Sequence, residues 1–188
     1  MTDAQEPSPA AVPDNHKAAD GTPRLIAIAI VAANGVVGDG EQQPFKFSED
    51  WQRFKRVTMG HPLIVGRRTH DVMGFLPGRF SIIITRDPSK VEIEVDDRGE
   101  PKGIAVKTLE EAITEAAKRD DLAHVIGGGE IYKMAWPIVD ELDLSEVHMP
   151  ADGDVKLPQI DPEIWVETSR DPRGAFDFVT YQRRADLA

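Results

Sequence analysis

Nine consecutive apolar residues, Leu25–Ala33 (LIAIAIVAA), constrain this chain more than any other feature of it. A bilayer-spanning helix takes about 20 such residues. A half-buried strand would alternate polar and apolar side chains. A short unbroken run reads instead as a strand buried on both faces, the signature of a parallel sheet covered by helices. The text downstream repeats the pattern. Leu63–Val65 runs into a helix start, GRRTHDVM; Ser81–Thr85 (SIIIT) reads as another buried strand; Ile104–Lys107 precedes a helix; and AHVI leads through GGG into the helix EIYKMAW, which ends near Pro137.

Helix signals fall between these strands. Ser48 is read as the N-cap of SEDWQRFKRVT, with Glu49 and Asp50 in the dipole-favoured first turn. Thr108 and Glu111 have the spacing of a capping box before Leu109, Ala112, Ile113 and Ala116. Three strand candidates close the chain: LDLSEVHM, IWVETS and FDFVTYQ. The last two have no helix-length insert between them and predict an antiparallel hairpin. The expected fold is a single α/β domain: a central, mostly parallel twisted sheet with an antiparallel C-terminal edge strand and flanking helices. Residues 1–23, with four prolines and no aromatic residue, are expected to be a disordered tail. The domain is expected over 24–184, with a short C-terminal tail at 185–188.

Composition narrows the function classes. The 188 residues include no cysteine, which removes disulfides, thiolate nucleophiles and cysteine-ligated zinc. The five histidines have no metal-ligand spacing, so no metal is expected. A net charge of −11 argues against a nucleic-acid or anionic-membrane surface. A few arginines in a cleft can still bind a small anion. Without an apolar leader or spanning segment, the expected compartment is the cytoplasm.

In open α/β sheets ligands bind beyond the carboxyl ends of the strands, and unusual residues stand there. In Val125–Glu130 (VIGGGE) the glycines would let a ligand approach the backbone, or make only a tight strand-to-helix turn. Arg67, Arg68 and Thr69 follow the strand ending at Gly66; two arginines at a helix start oppose its dipole and call for a negative partner, either a phosphate or this chain's own carboxylates. Thr85-Arg86 and Lys107-Thr108 are similar strand ends, so one polyanionic ligand across the sheet edge would explain all three. Asp50 and Phe54 share a helix face at i and i+4. Asp50 is either an ordinary first-turn acid or a carboxylate facing an apolar cleft, where an amidine-like heterocycle would satisfy it. Arg79 ends the turn LPGR and could be a solvated arginine. Trp51, Trp136 and Trp165 read as core or interface aromatics.

Together these residues resemble dihydrofolate reductase. The resemblance runs from about Leu25 to Arg183 and rests on LIAIAIVAANGVVG, the stretch Pro44–Lys55, TMGHPLIVGRRTHDVM, LPGR, IIIT and HVIGGGEIY, in that order. It implies NADPH-dependent reduction of 7,8-dihydrofolate, with hydride passing to pterin C6 and protonation at N5. Position by position, Asp50 resembles the single pocket carboxylate that holds the pterin and assists protonation. Phe54, Met73, Tyr132 and the main chain of Ile28 and Ile126 would line the substrate site, with Arg79 on the glutamate carboxylate. Ile30, Val37 and Gly38 would border the nicotinamide, and the loop from Gly38 to Pro44 resembles a lid. Gly66, Arg67, Arg68, Thr69, Thr85, Arg86 and Lys107 would hold the adenosine end. Gly127, Gly128, Gly129, Glu130 and Ile131, with Ile126 and Tyr132, would hug the cofactor, with a cis bond at Gly127-Gly128. Antifolates are implied as inhibitors, and a monomer is expected.

Several positions depart from the pattern. Phe45, in the catalytic neighbourhood, stands where tryptophan is usual, Ile30 where alanine is frequent, and Asp143 where an aromatic is common. Ser145 replaces a threonine, but its hydroxyl can still bond Asp50. The rival readings are another reductase on the same fold, acting on a ribosylated pyrimidine, and a non-catalytic nucleotide- or folate-binding protein.

Overall fold

In the computed structural model, which describes residues 21–40 and 42–187, the apolar runs assemble side by side. The expected tail lies outside the described residues up to Asp20, as does Glu41 within the expected lid. The strands are β1 (Arg24–Val31), β2 (Val36–Gly38), β3 (Leu63–Gly66), β4 (Ser81–Ile84), β5 (Gly103–Val106), β6 (Leu122–Val125), β7 (Glu141–Val147), β8 (Val155–Lys156), β9 (Trp165–Pro172) and β10 (Phe176–Arg183). The helices are α1 (Ser48–Thr58), α2 (Arg67–Met73), α3 (Leu109–Ala117) and α4 (Gly129–Ala135).

Eight strands form one sheet in the order β5-β4-β3-β6-β1-β7-β10-β9. The pairings from β5 to β7 are all parallel. β10 runs antiparallel to β7 and to β9, so the C-terminal hairpin closes the sheet as the sequence predicts. β1 lies between β6 and β7, and its apolar run is buried almost throughout. Ile64, Ile82, Ile83 and Val125 on the neighbouring strands are sealed from solvent. β9, at the edge, is exposed beyond Trp165 and carries charges that blunt it.

A two-stranded sheet, β2 with β8, is not anticipated from the sequence. Its strands are too short to carry a periodic signal. It ties the segment after β1 to the loop after β7.

The helix starts hold one correction. Ser48 is the first helical residue rather than the N-cap; Phe47 occupies the cap position, and no side chain caps the helix. Phe47 packs against Phe176 at 4.9 Å between ring centres, so apolar anchoring fixes the entry of α1 where a hydroxyl cap was expected. At α3, Thr108 Oγ1 accepts from the Glu111 amide at 3.1 Å, as predicted. The return bond of the box goes one residue early: Glu111 accepts from the Lys107 amide at 2.8 Å. Residues Arg184–Leu187, expected to belong mostly to a short tail, form a 3₁₀ turn whose first amide donates to Ile164 at 2.8 Å. Among the described residues no helix is long and apolar enough to cross a membrane.

Candidate active site

The carboxyl ends of β1, β3, β4, β5 and β6 open into one cavity of about 1240 Å³, with α1 along its wall. This is the place that strand topology assigns to a ligand. Two chemically different regions meet in it.

The first is apolar with a single acid. Ile28, Ile30, Phe54, Met73 and Ile126 line it, together with Asp50 and Ser145. Ser145 donates its hydroxyl to Asp50 Oδ1 at 2.5 Å. Burial pushes the Asp50 carboxyl above the usual carboxylate range. The Ser145 hydrogen bond and the Arg53 charge pull it back, and Asp143 pushes it further up. Such an acid can bind a cationic or amidine-like group, and it takes up a proton more readily than an exposed carboxylate does. Tyr132, fully buried, donates to the Ile28 carbonyl at 2.7 Å and locks α4 to β1 beneath the cavity floor. Burial, with the nearby Asp50 charge, raises the Tyr132 phenol, so it stays a donor.

The second region is basic and hydroxylic. Gly66, Arg67, Arg68 and Thr69 after β3, Thr85 and Arg86 after β4, and Lys107 after β5 share one wall. Four cations gathered in a chain of net charge −11 set the local field against the global one. The bland alternative for the arginines holds in part. Arg67 Nε donates to Asp71 at 2.7 Å, and Arg67 Nη1 to the Lys90 carbonyl at 3.1 Å. Both contacts are exposed; they aim the guanidinium without using all its donors. A dinucleotide phosphate fits these residues.

Between the regions run Gly128, Gly129, Glu130 and Ile131, with Val37 and Gly38 on the wall. The Gly127–Gly128 bond is cis. A side chain at Gly129 would strike Val155 at 2.5 Å, and one at Gly127, where φ is +105°, would meet the Tyr132 ring at 2.9 Å. Glycine is therefore required for the backbone to pass here.

Three expected site residues are off the cavity wall. Gly127 lies just behind it. Phe45 stacks on Phe47 at 6.0 Å and packs with the Ile30, Val147, Phe176 and Phe178 cluster. Arg79 is buried, donating to Thr58 Oγ1 at 3.1 Å and to the carbonyls of Pro77 and Lys55, each at 2.6 Å. That leaves one N–H free on each terminal nitrogen, a fork that still suits a carboxylate. Conversely, Trp51, read from the sequence as a core or interface aromatic, is 42% exposed on the wall and stacks on Phe54 at 5.2 Å, and Arg53, Val72 and Val155, not singled out in the sequence, lie there too. Trp51 and Arg53 adjoin Asp50 on its helix, and that proximity was the available signal. Among the described residues, no group of three or more histidine or acidic side chains is placed to hold a metal ion.

Comparison with known proteins gives the same answer as the cavity. The family profile for dihydrofolate reductase matches residues 24–183. The dihydrofolate reductase HdrB of Haloferax volcanii is 34% identical over 180 residues, covering 90% of this chain and 88% of that protein. The dihydrofolate reductase of Neisseria gonorrhoeae is 32% identical over 166 residues, covering 84% and 97%. A structure of the Enterococcus faecalis dihydrofolate reductase complexed with NADP(H) and RAB-propyl superposes with a TM-score of 0.75 at 28% identity, covering 86% of this chain and 96% of that one. With this cavity and these matches in hand, the chain belongs to the dihydrofolate reductase family.

Proposed function

We propose that this enzyme reduces 7,8-dihydrofolate to tetrahydrofolate with NADPH, and that Asp50 holds the pterin and feeds the proton to N5. The observation that carries the reading is Asp50 itself: one half-buried carboxylate among Ile28, Phe54 and Ile126, bonded to Ser145 and continuous with a cation-lined groove. When bound, NADPH supplies the hydride for C6.

This chain's residues do the remainder. Asp50 accepts hydrogen bonds from the 2-amino group and N3 of the pterin, which fixes the ring plane. Ile28 and Ile126 confine it with main-chain carbonyls, and Phe54 packs on its flat face. A carboxyl whose proton affinity is raised by burial serves a proton transfer better than an exposed one. Arg79 takes the glutamate carboxylate through its two free N–H groups. Arg67, Arg86 and Lys107, with Thr69 and Thr85, hold the adenosine phosphates. Val37 and Gly38, pinned through the β2–β8 pairing, keep water from the nicotinamide end.

The test is absorbance loss at 340 nm with dihydrofolate and NADPH, for the wild type and Asp50→Asn. The variant is expected to lose about 10²–10⁴ in hydride transfer at neutral pH and less with pre-protonated substrate. Unchanged turnover in the variant removes Asp50 from the mechanism. Turnover with a ribosylated pyrimidine and none with dihydrofolate favours the riboflavin-pathway type of reductase instead.

A further inference from the structure

Asp50 is not the only charge that α1 sends toward the sheet. One turn on, Arg53 reaches β7 as well, and its Nη1 lies 2.7 Å from Asp143 Oδ1, an ion pair by distance without hydrogen-bond alignment, since that oxygen has no hydrogen-bond partner among the described residues. Asp143 is buried, with 7% of its surface exposed. Arg53 lines the cavity, and its guanidinium sits 4.6 Å from the centre of the Phe178 ring. Strand residues two apart face one way, so Asp143 and Ser145 meet α1 together. One helical turn and one strand are therefore joined twice: Asp50 to Ser145, and Arg53 to Asp143. A buried aspartate beside a second carboxylate would be costly unless a cation stood between their charges.

We propose that Arg53, oriented by Asp143, is a positioning residue for Asp50: the pair holds this turn of α1 against β7 and keeps a positive charge beside the Asp50 carboxylate. The proposal deepens the dihydrofolate reading and rests on it for its role in turnover. The charged and titratable groups facing the pair are few. Asp50 and Arg53 come from α1, Asp143 and Glu141 from β7, Tyr132 from α4 and His124 from β6, and Arg173 lies over the same Phe178 ring as Arg53. Glu141 is itself bonded to Arg24 and, at 3.2 Å, to Gln182. Glu49 points elsewhere, to Arg173 at 3.0 Å. Arg53 favours ionised Asp50, and Asp143 opposes it. Neutralising each partner therefore displaces the Asp50 titration in opposite directions, which a purely structural tie would not do.

The experiment is the pH dependence of kcat/KM for dihydrofolate in the wild type, Arg53→Gln, Arg53→Lys and Asp143→Asn. The Asp50 inflection is defined as the one missing from Asp50→Asn. Arg53→Gln is expected to move it up by about one pH unit. Asp143→Asn is expected to move it down, and Arg53→Lys to leave it near the wild-type position. Coincident inflections, or displacement of both variants in one direction, overturn the proposal. If Arg53→Gln does not fold, Asp143→Asn and Arg53→Lys decide: a downward shift in the first alone supports it, and none overturns it. Titration of ¹³C-labelled aspartate carboxyls by NMR reads the same displacements in the unliganded protein. A wild type that fails to consume dihydrofolate then sinks the functional reading while this one is still decided.

Discussion

Ser145 and Asp50 meet hydroxyl to carboxylate at 2.5 Å, across the gap between β7 and the first turn of α1. The bond favours the ionised acid, burial favours the neutral one, and burial is the larger influence. Ser145→Ala removes the donor and leaves the burial. The Asp50 inflection in the pH–rate profile should then rise, by one unit or somewhat more, since a hydrogen bond to a charged group contributes about 1.5–3 kcal/mol. Ser145→Thr keeps the hydroxyl and should restore the wild-type profile. An alanine variant with an unmoved inflection means that the bond has no weight in the titration.

Arg79 combines two tasks that one substitution separates. Its donors to Pro77, Lys55 and Thr58 tie the turn after α2 to the end of α1, while its remaining N–H groups are available to a carboxylate. Arg79→Leu should weaken dihydrofolate binding by about 2–5 kcal/mol, on the scale of a lost buried charge pair. NADPH affinity should not change. Stability should fall too, because two carbonyls lose their donor, at roughly 1–3 kcal/mol for each left buried. Isothermal titration with each ligand, at a temperature where the variant is folded, checks both. Equal weakening of the two ligands counts against the clamp.

Much of this was legible in the sequence because burial on both faces leaves unbroken apolar runs, and β1, β3 and β4 carry them, while β6 is interrupted only by His124. The basic strand ends were legible because charge is conspicuous at the edge of such runs. What was not legible came from tertiary contact. Nothing in the neighbourhood of Ser48 says that the Phe47 ring will find Phe176 and take over the helix entry. Arg53 and Asp143 are far apart in the chain; Asp143 stands out only as an acid where an aromatic is common, Arg53 not at all, and only the α1–β7 packing makes them a pair. Phe45 was placed in the catalytic neighbourhood by resemblance, yet a phenyl ring has no polar atom to hold it at the cavity, and it packs with the second apolar cluster.

Arg67 is aimed by Asp71 and by the Lys90 carbonyl, so its charge is fixed in direction at the basic end of the cavity. Arg67→Gln should weaken NADPH about tenfold to a hundredfold, the scale of one charge-assisted contact to phosphate. NADH, which lacks the 2′-phosphate, should be nearly unaffected, so the preference between the two falls by the same factor. Asp71→Asn should give a smaller loss in the same direction, since it frees the guanidinium without removing it. Fluorescence titration with both nucleotides is the measurement. A parallel loss for NADH places Arg67 elsewhere than at the phosphate.

His124 gives the fold a pH dependence unrelated to catalysis. Its ring is buried on β6, Nδ1 has no hydrogen-bond partner among the described residues, and the His61 ring lies 5.6 Å away, itself paired with Asp120 at 2.7 Å. Burial, reinforced by His61 and opposed by Asp120, pushes the imidazole down to about 3 from its ordinary 6.5. The folded protein therefore binds this proton less readily than the unfolded chain. Stability is fully present above pH 6.5 and is lost as pH falls from there toward 3, at up to about 1.4 kcal/mol per pH unit. Carboxylates titrate over the lower part of the same range: Glu115 and Glu167, held low by their cations, add to the loss, while Asp50, Asp140 and Glu141, held high by burial, oppose it. A difference between variants cancels them. Urea unfolding of the wild type and His124→Leu at pH 7.5, 6.0 and 5.0 should show the variant gaining on the wild type as the medium becomes more acid, with the gap widening only below 6.5. Parallel curves across that range mean that the protonated imidazole finds an acceptor in the folded state.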